Sequence, residues 1–471
     1  ISSFCTSIIT DMSNLFKDCF KLLHLNLSSF NTSSVKTMNN MFYNCESLTT
    51  LDISSFDTIF VENMGNIFTN CKLINDFNLS HFNTKLLRKM NSMFNGCESL
   101  FSLDLSNFDT SLVTDMNYLF KCCKQLTSLN IYNFNTSSVK EMSFMFFRCY
   151  KITYINLSNF DTSSVTTMSF MFSECKLLES LDISNFNTSK VKKMLHSFSN
   201  CEKLKSLNLS NFNTSLLEDM SSMFLGCSSL GSLILSNFDT SSVTNMNNLF
   251  SGCQNLSFLD ISNFITVNVK DMSFIFNNCS SLINLDLSNF NTSLVTTMES
   301  FFSSCSSLTS IDISNFDTSK VKNLKSMSDG CISLNSLNLL KFQTSLTTDM
   351  NKMFQNCIKI TSLDLSNFNV SSVTDFGYMF IGCSSLEYLN LSNFYTKKGI
   401  IMNDLFNGCL KLTSLILTNF NTSLVTRMNN MFSYCSSLTE LDLSSFDFTS
   451  ITTIENMFKG CTKLDKSNSV N

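Results

Sequence analysis

The residues with the most chemistry to offer are the chain's 20 cysteines. Eighteen of them, from Cys19, Cys45 and Cys71 through Cys435 to Cys461, keep one spacing of 26 residues, and only Cys5 and Cys122 fall outside it. Zinc sites gather thiolates as CxxC, or as CxxC with a paired HxxxH. One cysteine per repeat supplies no such cluster, and His24, His81 and His196 stand at three different points of the repeat. A disulfide between neighbouring units needs Cα atoms about 4.4–6.8 Å apart, closer than packed helices allow. The cysteine row therefore reads as small buried apolar side chains, and no metal or other cofactor is expected. Cys122, next to Cys123, reads as an extra exposed thiol.

Carboxylates form the second candidate chemistry. Asp52, Asp104, Asp182, Asp260, Asp286, Asp312, Asp364 and Asp442 share one column with Asn26, Asn78, Asn130, Asn156, Asn208, Asn338 and Asn390. Oxygens repeated at a strand spacing of about 4.8 Å would attract Ca²⁺ or a glycan. Calcium, however, takes about six to eight oxygens from a shaped loop, and no such loop is evident, so the column reads as a solvated ladder. Nor is there a GxSxG, HExxH or phosphate-loop glycine pattern. Catalysis is not expected from a chain with 11 Gly and 3 His.

Aromatic departures from the repeat are the third candidate. Tyr154, Phe258 and Tyr388 replace Ser on the outward strand column, two before the Asp/Asn position. Tyr118, Phe144 and Phe170 occupy one nominally exposed position in three consecutive units, with Phe147 and Tyr150 nearby. Exposed rings on a Ser/Asn surface suggest a contact patch; partial burial against neighbouring helices is the alternative.

The elements that must position these groups follow from the period. From Cys97 the unit reads CESLFSLDLSNFDTSLVTDMNYLFKC. Leu100, Leu103 and Leu105 alternate as a short strand. Phe108 follows, and its equivalents are Phe from Phe4 to Phe446. Asp109, Thr110 and Ser111 are turn and helix N-cap types. Val113, Met116, Leu119, Phe120 and Cys123 then fall on one helical face, as do Val139, Met142, Met145, Phe146 and Cys149. Neither element buries its apolar side alone, so stacked neighbours must cover it. The expected fold is an α/β repeat solenoid, leucine-rich-repeat-like, with one parallel strand and one short helix in each of about 18 units. A period kept throughout residues 1–471 predicts a single continuous solenoid that starts and ends mid-repeat. Helices spaced at about 10 Å against strands at about 4.8 Å would bend it, with the strands on the concave side; a tighter second layer would leave it straighter. Ser328, at a position held by Phe302 and Phe354 in neighbouring units, marks the expected weak rung, with Met327 filling part of the gap.

Composition agrees: 47 Phe and 25 Met against no Pro and no Trp suit one recurring loop design. A net charge of −5 with scattered basic residues excludes a nucleic-acid footprint, and no apolar run of about 18 residues is present to span a membrane.

The pattern LxxLxLSNFxTSxVxxMxxMFxxC resembles the 26-residue repeat of bacterial surface proteins, a branch of the BspA-like leucine-rich repeat family. That resemblance implies a solenoid displayed at the cell surface or secreted, adhesive, bound to a protein or glycan partner, and without catalysis. Here Phe108 takes the place of the family's buried Asn, and Asn107 gives way to Ser55, His81 or Lys341 elsewhere, which argues against an internal Asn ladder. Two further readings stay open. With no polar cap at Ile1 or after Cys461, the ends would pair copies into filaments or layers. An intracellular interaction scaffold suits unpaired cysteines better than an oxidising compartment does.

Overall fold

The computed structural model describes residues 6–464; Phe4 and Cys5 lie outside them. The chain divides after Leu230 into two compact units, and each is the same parallel β-solenoid with a 26-residue coil. The strands are short. In the first unit β1 (His24–Asn26) pairs in parallel with β2 (Thr50–Asp52), and β3 (Ser102–Asp104) with β4 (Ser128–Asn130). In the second, β5 (Ser232–Ile234) pairs with β6 (Phe258–Asp260), β7 (Ser362–Asp364) with β8 (Tyr388–Asn390), and β9 (Ser414–Leu415) with β10 (Glu440–Leu441). Register is one coil per step, so Leu103 faces Leu129 and Leu363 faces Leu389.

No helix forms among the described residues, which corrects the expected second layer and makes the fold all-β. Its place is taken by β-turns in tandem. The Met41, Tyr43 and Cys45 amides turn back to the carbonyls of Met38, Asn40 and Phe42 at 3.1–3.2 Å. Between them, the Asn40, Phe42 and Asn44 amides donate to Gly65, Ile67 and Thr69 of the next coil at 2.8–3.0 Å. Half the amides thus fold the turn and half join the coils. Asn40 and Asn44 are the third residues of two such turns, with φ of 56° and 58°, the left-handed position of a type II turn. Met38, Met41, Phe42 and Cys45 all point inward and are fully buried, at the same three- and four-residue spacing that a helix would produce. A parallel ladder of single bridges, Asp115–Glu141–Thr167–Lys193–Asp219 in the first unit and Asn245 through Asp375 to Thr453 in the second, leads into these turns. Within each unit, then, both sides of the coil advance at strand spacing, about 4.8 Å, and the helical wedge expected to bend the layers is missing.

The core is a set of columns. Leu105, Phe108, Val113, Met116, Phe120, Cys123 and Leu126 are buried to 0–1% exposure, and most of their counterparts along each unit are buried. In the first unit the rings from Phe16 to Phe224 stack coil on coil, centroids 5.6–5.8 Å apart. In the second, the row from Phe250 through Phe276 to Phe302 stops at Ser328 and resumes at Phe354. Ser328 is buried, and its hydroxyl donates to the Met353 carbonyl at 2.7 Å.

A column of threonines, read from sequence as helix caps, lies inside instead. Thr58, Thr110, Thr162 and Thr396 are at most 1% exposed. Each of Thr58, Thr162 and Thr396 donates its hydroxyl to a carbonyl of the next coil and accepts the amide of the same residue, at 2.8–2.9 Å.

Candidate interaction surface

The cysteine ladder is buried, as the spacing suggested, but its side chains are not merely apolar filling. Along the ladder the thiol donates to the carbonyl of the phenylalanine in the preceding coil, as from Cys45 to Phe16 at 3.1 Å, Cys201 to Phe172 at 3.2 Å and Cys305 to Phe276 at 3.0 Å, and at the interrupted rung Cys357 donates to the Ser328 carbonyl at 3.2 Å. All described cysteines are free, and no three His, Cys, Asp or Glu among the described residues gather as metal ligands. Burial pushes the Cys227 and Cys305 thiols up to about 12, so the reactive thiolate is scarce at neutral pH. Alkylation with iodoacetamide at pH 8 is accordingly expected to modify a small minority of the 20 cysteines in the native chain and all of them in denaturant, counted by mass spectrometry. Half-buried Cys19, Cys122 and Cys461 should react first; native labelling throughout the buried row would refute the arrangement.

The Asp/Asn column lies on the outer side of the strands, its Oδ1 atoms engaged locally. Asp52 Oδ1 accepts the Ser54 amide and hydroxyl, Asp182 and Asp260 accept from Ser184 and Ser262 in the same way, and Asp442 accepts the Ser444 amide. Asp104, Asp286, Asp312 and Asp364 take the amides of Ser106, Ser288, Ser314 and Ser366 at 2.9–3.0 Å. These are Asx turns, and the Ser hydrogen bonds hold the Asp52 and Asp182 carboxyls below the usual range. Two further Asx turns follow in the same coil, at Asp109 with Ser111 and Asp115 with Asn117. The column's first task is to bend the chain.

Asn107 forms no internal ladder, as its exchange between coils suggested, but it builds one on the solvent side. Although the residue is exposed, its amide donates to the carbonyls of Leu79, Ser80 and Phe82 in the preceding coil. Ser55 reaches the equivalent carbonyls of Leu27 and Phe30, and the His81 ring reaches Ile53. The ladder tolerates exchange because it is solvent-facing and needs only a polar group.

The aromatic departures divide into two sets. Tyr118, Phe144 and Phe170 form one continuous stack, centroids 4.9 and 4.4 Å apart and planes within 16°. His196, at the same offset one coil on, extends it at 4.5 Å; that equivalence was readable and was missed. Phe147 meets Phe144 and Phe170 edge-on at 5.5 and 6.0 Å. The Lys121 ammonium lies 5.1–5.9 Å from the Tyr118, Phe144 and Phe147 rings, and the Arg148 guanidinium 4.9 Å from Phe147. Tyr150 donates to Glu174, which pairs with Arg148 at 3.2 Å. All six rings are half-buried. Burial lowers the His196 pKa, keeping it the neutral end of the stack.

Tyr118, Phe144, Phe170 and His196 adopt φ of 55–61°. They occupy the left-handed turn position that Asn14, Asn40, Asn66, Asn248, Asn430 and Asn456 hold in other coils. Tyr154, Phe258 and Tyr388 are not part of any such group: each is 56–57% exposed on the strand side, with no ring partner among the described residues.

Comparison with known families places this geometry. The model of "Mycoplasma protein of unknown function, DUF285" matches residues 1–102, 74–154, 129–228, 192–311, 297–413 and 382–470, almost the whole chain. The chain belongs to the DUF285 family. Among solved structures, this DUF285 chain is similar to a leucine-rich repeat protein of Bacteroides ovatus, at 20% identity and a TM-score of 0.46 over 80% of each chain. It is also similar to a leucine-rich cell surface protein of Faecalibacterium prausnitzii, at 19% identity and a TM-score of 0.29, covering 81% of this chain and 76% of that one. The functional domain of InlJ from Listeria monocytogenes, described as including a cysteine ladder, matches at 17% identity and a TM-score of 0.21 over 92% and 69%. No curated protein matches. Among the described residues no helix is long and apolar enough to cross a membrane.

Proposed function

We propose that this DUF285 chain is a non-enzymatic binding module of the BspA-like kind, displayed on a cell surface, whose stack of Tyr118, Phe144 and Phe170 engages a protein partner. One observation carries the reading: bulky aromatic residues fill a left-handed turn position in three consecutive coils. A left-handed conformation costs an ordinary residue about 1–2 kcal/mol, and Asn tolerates it better. Each stacked pair returns about 0.5–1.5 kcal/mol. The two contacts among the three rings return less than the three conformations cost; the His196 stack and the Phe147 edges supply part of the rest, and a partner covering the half-buried rings would add to it. Strain of this kind concentrates at functional sites. Lys121 and Arg148 add a cationic rim, the aromatic-and-Arg composition of interface hot spots.

The test replaces all three rings with the residue the backbone prefers: Tyr118→Asn, Phe144→Asn and Phe170→Asn together. The variant should melt no lower than the parent chain. Proteins retained by the immobilised parent from a solubilised cell-surface extract should bind it at least about tenfold more weakly. A marked drop in melting temperature would assign the rings to the fold, and unchanged retention would remove them from the interface.

A further inference from the structure

We propose that the second unit carries a separate binding groove for a neutral sugar, opened by Gly377 and lined by Asp375, Tyr378, Ile401, Asn403 and Arg427. It stands on its own observations and does not depend on the aromatic stack.

Along the bridge ladder, the side chain two residues after one bridge position usually closes onto the bridge position of the next coil. Ser143 bonds Thr167 and Ser273 bonds Thr297, each at 3.0 Å, and Asn351 donates to Asp375 at 3.1 Å. At the next step the pair is Gly377 and Ile401, and neither side chain can make that bond. Beside Gly377, whose Cβ position would meet Asn351, Asp375 and Ile401 at 3.1–3.3 Å, those three residues line a groove of about 650 Å³ together with Asp404, Asn429 and Asn430. The volume is in the range of small-molecule sites, about 300–1,000 Å³. Its position is fixed by backbone, because Asp375, Ile401, Arg427 and Thr453 are successive bridge partners.

The lining is mixed in a way that suits a polyol with apolar faces. Tyr378 supplies a half-buried ring, again at a left-handed position (φ 61°), with the Lys352 ammonium 5.6 Å from its centre. Ile401 supplies aliphatic surface. Asp375 Oδ1 is taken by the Asn351 side chain and the Gly377 amide, which leaves its second oxygen for a hydroxyl donor. Arg427 makes no ion pair among the described residues, so its guanidinium donors can serve a hydroxyl oxygen. Asp404 is buried and accepts from Asn403 and Asn407, fixing the wall rather than binding. Donor, acceptor, ring and aliphatic patch together match the edges and faces of a pyranose better than a cation, for which no three ligating side chains converge.

Saturation-transfer NMR on the full chain with methyl glucopyranoside, methyl galactopyranoside, methyl mannopyranoside and N-acetylglucosamine, each at millimolar concentration, tests this. At least one sugar should receive saturation. The signal should fall at least about tenfold in Gly377→Leu, where a Cβ already meets Asn351 and Asp375 at 3.1 Å. Gly231→Leu is the matched control, since nothing lies within 4 Å of its added Cβ, and it should bind as the parent does. With equal melting curves for both variants, silence from all four sugars, or saturation undiminished in Gly377→Leu, would overturn the site.

Discussion

Phe146→Ala is expected to lower the stability of the first unit by about 3–5 kcal/mol. The ring is fully buried between Phe120 and Phe172, with both centroids 5.6 Å away. Truncation therefore removes its burial, leaves a cavity, and breaks two stacked contacts worth about 0.5–1.5 kcal/mol each. The loss is a large share of a typical stability of about 5–15 kcal/mol. A coil of a solenoid is held chiefly by its neighbours, so the damage should appear as an earlier unfolding transition in guanidinium. A shift below about 1 kcal/mol, the ordinary effect of a point mutation, would mean that the column does not hold the coils together.

Thr162→Val comes next in size. Valine keeps the shape but strips both hydrogen bonds from Asn187, whose amide and carbonyl each meet the hydroxyl at 2.8–2.9 Å. An unsatisfied polar group that stays buried costs about 1–3 kcal/mol, so a loss in that range is expected. The chain contains its own converse. Val370 already occupies this column, fully buried, and the Tyr395 amide turns to the Asn393 carbonyl at 2.9 Å instead. Val370→Thr should restore the rung and add about 0.5–1.5 kcal/mol. Chemical denaturation of both variants checks the pair, and a neutral Thr162→Val would demote the threonines to space-filling.

The strand half of the coil was legible because Leu103 and Leu105 alternate as strands do, and the inward set was right even where the element was wrong. Met116, Leu119, Phe120 and Cys123 are buried; tandem turns and a helix simply place the same residues inside. What distinguishes them is the residue the backbone demands between the apolar ones. Two positions per coil are left-handed, and at the second of these stand Gly96, Gly226, Gly252, Gly330, Gly382, Gly408 and Gly460. Glycine recurring there is costly inside a helix, about 1 kcal/mol each, and natural in a turn; that was the available signal. At Gly96 an added Cβ would also run into the Asn70 amide oxygen. Thr110 misled because a cap and an inter-coil rung call for the same hydroxyl, and only the stacked neighbour distinguishes them. In the candidate surface, the shared offset of Tyr118, Phe144 and Phe170 survived intact, since identical offsets become adjacent in any solenoid. Tyr154, Phe258 and Tyr388 share an offset too, but their coils are not consecutive, and proximity was lost.

The buried sulfur row bears on where such a protein can live. Oxidants attack the deprotonated, accessible form of cysteine, and here nearly every described thiol is both sealed from solvent and tied to a carbonyl as S–H. A molecule so arranged keeps its interior reduced without help from a reducing cytosol. Exposure to air and peroxide outside a cell would touch little more than Cys122 and the flanking rungs, so an unpaired complement of cysteines ceases to be an argument against an extracellular career.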